Sequence, residues 1–390
     1  MTIAPENVDA AGTEGLDQLV SEVLAASNRD LAHSETLPPE AYHSEAFFKL
    51  EMEKIFKKEW ISIGHTGQIP NQGDYFSFDI FGEPLVVVRD QGAVRVMSRV
   101  CLHRWAPVAS GKGNTKLFSC PFHRWAYGLD GRLVAAPHME KVADFEAKKC
   151  ALPHIRSEVV DGTIYICFSD DTPPLAPRLS AFSERMKGFR MSELVVGYSM
   201  EFTCNFNWKI AVETFMESYH HIGAHAKTLQ DKHPGGLSYG EDGHEAWTGA
   251  HQPLRPDLPT EENMKSGLPP FEGLSDETRR DSGLYVIYPF NLIGTHADRI
   301  HWTTLIPVSA TETKWVRHVL VQPEALELPN FKEIAEKLYT AGRAIADEDL
   351  EVNGMQQFGA MSEYAQVGRL SHLECAVWQL SDYVRDRIRG

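Results

Sequence analysis

The chain has 390 residues, 43 % of them hydrophobic, with a formal net charge of −16 and six cysteines. That length suggests two domains with a sizeable core, and the acidic balance excludes a nucleic-acid binder, which needs a basic face to displace counterions. Six cysteines are too sparse for a disulfide scaffold, residues 1–20 carry acids and no apolar run, and no window spans a bilayer, so a soluble cytoplasmic protein is expected.

Residues 1–58 are polar with a helical pattern, and a helix is expected over 45–57. From Trp60 the period changes to two. Residues 75–80 alternate, Gly82 and Pro84 mark a turn, 85–89 form a β-branched run, and Gln91-Gly92 turns into 94–98. Leu129-Asp130-Gly131 is another hairpin turn, and 162–168 closes an all-β unit. Asp170-Asp171-Thr172-Pro173-Pro174, followed by Pro177, marks its end. Beyond it a strand is expected at 194–204 and a helix over 208–222. A long polar stretch, 227–281, reads as a lid or mobile binding segment. Strands follow at 284–288, 301–306 and 314–321, then a long helix over 331–358 and a closing helix. The expected domains are 1–58, 59–170 and 171–390. The class is α+β, an all-β unit followed by an antiparallel sheet curled around a long helix.

Two cysteine–histidine pairs interrupt the β pattern: Cys101-Leu102-His103, then sixteen residues, then Cys120-Pro121-Phe122-His123. Two thiolates and two imidazoles suit a structural zinc. They also suit an asymmetric [2Fe-2S] cluster, with two thiolates on one iron and two imidazoles on the other. Each loop offers one of each, which favours the cluster, because zinc ribbons usually pair like with like.

Asn207 stands where a helix N-cap belongs. The helix after it is apolar at Trp208, Ala211, Val212, Phe215, Met216 and Tyr219, yet it carries Glu213, Glu217, His220 and His221 toward His225. Buried charges and imidazoles need partners, either a metal or ordinary hydrogen bonds. On a continuous helix His221 and His225, four apart, share a face. His220 and His225 require the helix to loosen, which Gly223 permits. Asp347, Glu348 and Asp349 lie on the later long helix. Its stripe of Ile334, Leu338, Ala341, Ile345 and Val352 puts Asp349 on the buried face. Two histidines and one carboxylate would form a facial triad with positions left for O2 and substrate.

Cys101-Leu102-His103-Arg104 and Cys120-Pro121-Phe122-His123-Arg124-Trp125, followed by Tyr127-Gly128-Leu129-Asp130-Gly131, resemble the Rieske motif of ring-hydroxylating and related oxygenases. Ala106 and Phe122 stand in the regions where respiratory Rieske proteins carry extra cysteines. Glu217-x2-His220-x4-His225 is similar to the catalytic-domain signature of the same oxygenases, and Glu348-Asp349 with Gln357 is similar to their carboxylate segment. The resemblance covers nearly the whole chain past residue 45. It implies a Rieske domain with a [2Fe-2S] cluster on Cys101, His103, Cys120 and His123. It further implies a helix-grip (START/SRPBCC-like) catalytic domain with mononuclear Fe(II) on His220, His225 and Asp349, leaving His221 outside the ligand set.

Two catalytic roles come with it. Glu217 would bridge His220 to the neighbour's His123 in a head-to-tail homotrimer or higher assembly, and Asn207 would lie near the iron. The implied activity is mono- or dioxygenation of a small-molecule substrate with O2. Electrons would come from NAD(P)H through a separate reductase, with or without a ferredoxin, since the chain has no Gly-rich nucleotide fingerprint. An aromatic or hydrophobic substrate, hydroxylated or demethylated, is expected. The alternative is a quaternary ammonium compound, because Glu217 resembles the branch acting on choline, betaine or carnitine-like compounds. Ser218-Tyr219-His220-His221 and Gly354 depart from that branch. An aromatic cage for a cation could come from Tyr285, Tyr288, Phe290 and Trp302, although aromatics on such strands more often serve as core. A zinc-stabilised ligand-binding protein is the remote alternative.

Overall fold

The computed structural model describes residues 8–25 and 30–390. The parts of the expected N-terminal segment at 1–7 and 26–29 lie outside the described residues. A helix runs over Val8–Ala25, and the helix expected at 45–57 begins at Glu45, where Ser44 Oγ accepts from the Phe47 amide at 3.2 Å. It is α-helical only to Glu51 and widens into a π turn over Met52–Phe56.

The β unit contains three antiparallel sheets. One orders Ala93–Ser98, Glu83–Asp90, Asp74–Ile80 and Lys112–Asn114; a second orders Ile61–His65, Thr163–Cys167 and Arg156–Val160. The third is small and joins Phe118–Ser119, Ala126–Tyr127 and Leu133–Ala135. The β-branched run Val86, Val87 and Val88 is fully buried, so this strand is covered on both faces.

The second half carries a seven-stranded antiparallel sheet. Its order is Val195–Cys204, Glu312–Val321, Ile300–Ser309, Asn291–Thr295, Asp281–Ile287, Trp247–Pro253 and Tyr239–Gly240. The last two strands fall inside the stretch expected to be an irregular lid, which corrects that expectation. Trp247 through His251 are buried, but Gly249 and the surrounding charges hide the period in the sequence. The long helix Phe331–Ala360 packs against Val195–Cys204 and the helix Trp208–Phe215, and Cys375–Arg389 closes the chain.

One apolar cluster crosses the expected boundary at 170, joining Ile61, Phe76 and Leu85 to Phe206, Trp208 and Leu292. A buried polar network ties the N-terminal segment to the same place. Lys209 Nζ meets Glu51 Oε1 at 2.7 Å, and the Tyr42 hydroxyl donates to Glu213 Oε1 at 2.7 Å. Among the described residues, no helix is long and apolar enough to cross a membrane.

Candidate metal centres

The loops at Cys101 and Cys120 close in the same way. The Trp105 amide donates to the Cys101 carbonyl at 3.0 Å, and the Arg124 amide donates to the Cys120 carbonyl at 3.1 Å. The Cys101 amide in turn donates to Ala106 O at 3.0 Å, and the Cys120 amide to Trp125 O at 2.8 Å. Both loops turn through a left-handed residue that is not glycine, Trp105 and Arg124, each with φ 61°. Such strain is kept where the surrounding structure demands the turn. The two thiols are buried and unpaired, and the His103 and His123 rings lie 4.5 Å apart between centroids. Tyr127 Oη stands 3.3 Å from Cys101 Sγ and accepts from the Leu102 amide at 3.0 Å. His103 Nδ1 is buried without a hydrogen-bond partner. An orphaned imidazole nitrogen beside two free thiols fits a metal-bound group.

The second centre departs from the helix expected over 208–222. The α-helix stops at Phe215, with Met216 as its cap, and Tyr219–Ile222 forms a separate 3-10 turn. The same-face argument for His221 therefore does not apply. Gly235 is pressed against this turn: a Cβ there would lie 2.1 Å from the Ser218 carbonyl oxygen, so only glycine permits the approach.

His220, His225 and Asp349 offer ligand atoms that all lie within 4.8 Å of one another. His225 Nε2 is 2.9 Å and His220 Nε2 3.6 Å from Asp349 Oδ1. The far side of each ring is held by another carboxylate. His220 Nδ1 donates to Glu217 Oε1 at 2.6 Å, and His225 Nδ1 donates to Glu348 Oε2 at 2.7 Å. Thr228 Oγ1 also donates to Glu348 Oε2, at 2.6 Å. These outer contacts fix the rings with Nε2 toward Asp349, as metal-ligating histidines require.

Burial opposes charge on His220, but hydrogen bonds to Asp349 and Glu217 outweigh it and raise its pKa to about 9. His225 is raised as well, burial again being overcome by Asp349. Asp349 is lowered, because contacts with both histidines exceed its burial cost. The cluster thus draws positive charge to itself, and the donor set fits a divalent cation. His221 lines the same cavity, its ring 5.2 Å from that of His220, but it stands outside the triad: its Nδ1 donates to the His233 carbonyl at 2.8 Å, and burial lowers its pKa to about 4. Asp347 points outward and pairs with Arg343 at 2.7 Å.

Asn207 is placed elsewhere, correcting the expectation of a role near the iron. Its Oδ1 accepts from the Lys209 amide at 3.0 Å, its Nδ2 donates to Ala310 O at 2.7 Å, and it does not line the cavity at the triad. It is a buried helix cap. Thr214, seven residues on, does line that cavity.

The cavity measures about 130 Å³ and opens onto Glu217, His220, His225 and Asp349. Phe215, Leu229, Leu284 and Ile345 supply its apolar wall, and Gln252, His296, His301 and Arg317 its polar wall. Tyr285, Tyr288, Phe290 and Trp302 are buried core and line none of it. Sequence reading missed the polar wall because most of these residues sit singly on strands, where no spacing marks them.

Residues 59–146 match the Rieske [2Fe-2S] domain, which decides between cluster and zinc for the first centre. The glycine betaine monooxygenase oxygenase subunit of Pseudomonas aeruginosa is 33 % identical over 204 residues, 52 % of this chain and 47 % of that protein. The carnitine monooxygenase oxygenase subunit of Escherichia coli is 32 % identical over 194 residues, 49 % and 52 % of the two chains. The chain spans about half the length of these curated relatives. In fold it resembles the quaternary ammonium Rieske monooxygenase CntA in complex with L-carnitine, with TM-score 0.77, 23 % identity and coverage of 92 % and 97 %. Naphthalene 1,2-dioxygenase from Rhodococcus sp. gives TM-score 0.76 at 18 % identity, covering 97 % and 99 %. Residues 191–390, just over half of the chain, match the ring hydroxylating alpha subunit (catalytic domain), and the chain belongs to that family, with a Rieske [2Fe-2S] domain ahead of its mononuclear iron domain.

Proposed function

We propose that this chain is the terminal oxygenase component of a multicomponent cytoplasmic system. It would receive electrons from NAD(P)H through a separate reductase, with or without a ferredoxin, and use O2 to hydroxylate or demethylate a small organic substrate. The observation that carries this reading is the His220–His225–Asp349 set, with His225 buried and the other two half-buried, facing a cavity, in a chain that also carries the Rieske loops. When bound, the cluster supplies single electrons and the iron supplies O2 activation. The protein's part is to hold His220 and His225 by Glu217 and Glu348, leaving each Nε2 free for the metal, and to keep the cavity largely apolar.

Glu217 also suits an electron bridge in a homotrimer. His123 sits at an exposed loop tip, with Trp105 78 % and Phe122 54 % exposed beside it. Close to Glu217 in the chain, Tyr219 and Ile222 are exposed apolar side chains. Two unlike apolar patches on one chain are what a head-to-tail ring joins.

A second reading, oxidation of a quaternary ammonium compound, is favoured by the relatives that act on glycine betaine and carnitine. Among the described residues, Phe215 is the one carbocyclic aromatic ring lining the cavity, which is short of a cage. The test is NAD(P)H-dependent O2 uptake by the metal-replete protein with a matching reductase, across aromatic acids, neutral aromatics and ammonium compounds. Substrate-stimulated uptake with product formation is expected. Iron-replete protein that accepts electrons but consumes no O2 with any of them would refute the oxygenase reading.

A further inference from the structure

Arg317 lies on the strand Glu312–Val321 and reaches the cavity that opens on Asp349. Its Nε donates to Thr303 Oγ1 at 3.2 Å, and among the described residues no carboxylate forms an ion pair with its guanidinium. Arg299, nearby, is different: its Nη1 meets Asp298 Oδ1 at 2.6 Å, so its charge is already matched. The carboxylates that line the cavity, Glu217 and Asp349, are both engaged by histidines. Burial pushes Arg317 down from its ordinary value, with Asp349 and Tyr198 opposing. A guanidinium remains charged even so. The guanidinium is half-buried and lies 5.0 Å from the Trp315 ring centroid, yet its fork of Nη donors has no hydrogen-bond partner among the described residues, which leaves it open to an anion.

The neighbouring polar groups agree in kind. His296 and His301 line the same wall, with His296 Nε2 3.4 Å from His301 Nδ1. Burial holds both well below the ordinary imidazole range, so the pair is neutral, and with one ring donating to the other a single ring N–H is left over. Leu284, Ile345 and two glycines, Gly294 and Gly342, line the same cavity. The cavity therefore combines metal-ligating, apolar and cationic groups.

We infer that Arg317 anchors a carboxylate of the substrate, with the one ring N–H that the His296–His301 pair leaves free beside it, so that the substrate of this cavity is a small organic acid. This rests on the oxygenase reading and assigns the substrate class of the same site. A planar guanidinium pairs with a carboxylate through two parallel hydrogen bonds, which fixes orientation as well as affinity. No covalent step is asked of Arg317; it is a positioning and specificity residue.

The test uses the metal-replete protein and calorimetric titration with matched pairs: benzoate against benzamide, 3-phenylpropionate against its amide, and glycine betaine against choline. At least one acid should bind roughly tenfold or more tightly than its uncharged or carboxylate-free partner, the worth of a charge-assisted hydrogen-bond pair. Arg317→Gln should abolish that ratio, and Arg317→Lys should retain part of it. Acids that bind no better than their partners, or not at all, overturn the inference, as does a ratio that survives in Arg317→Gln. If Arg317→Gln does not fold, the wild-type ratio and Arg317→Lys still decide. O2 uptake is recorded on the same samples. Uptake driven only by neutral or cationic compounds removes the anion site and leaves the oxygenase, whereas acid-selective binding without uptake removes the oxygenase and leaves the site.

Discussion

The loops at Cys101 and Cys120 hold their donors through the backbone, whereas His220, His225 and Asp349 are held by side chains that meet across the fold. In the first region each cysteine is tied to residues four and five positions on, so the donor geometry is local. In the second, His225 and Asp349 are 124 residues apart, and the helix leading to them is fixed by Tyr42, Glu51, Asn353 and Gln357 from both ends of the chain. A locally built site can survive damage elsewhere; a site built from distant pieces depends on global packing. The difference predicts which metal is lost when each region is cut.

The largest effects are complementary losses. Asp349→Ala should lose the mononuclear iron and all turnover while keeping the visible absorption of the cluster. Cys101→Ser should lose that absorption and keep the iron. Metal analysis with a visible spectrum checks both, and a variant that loses both metals while still folded breaks the separation of the two regions. Within the second region, His220→Ala should release iron and His221→Ala should not, because His221 is turned to the His233 carbonyl.

Next in size is Glu217→Gln. Both metals should remain, since the amide oxygen can still accept from His220 Nδ1, but turnover should fall on the order of 100-fold or more. Single-turnover reduction of the iron, followed after the cluster is reduced, distinguishes the cause. Undiminished electron transfer would remove Glu217 from the path and reduce it to a support for His220.

What could be read from sequence follows the same division. The four proposed cluster donors stand as two adjacent pairs on loops that close alike, inside the residues that match the Rieske domain. The long helix runs, as expected, from Phe331 to within two residues of its expected end, but the apolar stripe that singled out Asp349 is only partly its buried face: Ala341 is exposed, whereas Ala346, Asn353 and Gln357 are buried. The choice between His220 and His221 could not be made from helical spacing, because the helix ends at Phe215. Trp247–Pro253 was hidden for a related reason: tertiary burial, not a period-two pattern, makes it a strand. Arg317 carried no signal, since one arginine in an alternating strand reads as a solvent-facing residue.

The buried network beneath the second region has a pH signature. Burial raises Glu213 to about 7 despite hydrogen bonding from Tyr42 and attraction to Lys209. A carboxyl whose folded pKa exceeds its unfolded value binds its proton more tightly when folded. Its contribution favours folding below about 4.5 and is lost as pH rises through about 7. Wild type should therefore lose roughly 2–3 kcal/mol relative to Glu213→Gln across that window. Urea denaturation at both ends of it measures the difference; a constant gap would place Glu213 in an ionised, fully compensated pair instead.

The smallest effect sits at Asn207, where the two ways of placing a residue disagree. Likeness of sequence would set its amide by the iron; the geometry makes it the cap of the helix that precedes the ligands. Asn207→Ala removes one acceptor for the Lys209 amide and one donor to the Ala310 carbonyl, both buried, so about 1–2 kcal/mol of stability should be lost. Iron content and the ratio of turnover to cluster content should stay unchanged, because the side chain does not reach the cavity. A stably folded Asn207→Ala protein with depleted iron would mean that this cap positions the ligands directly, and the contrast between a locally tied cluster and a globally assembled iron site would then need a local tie on both sides.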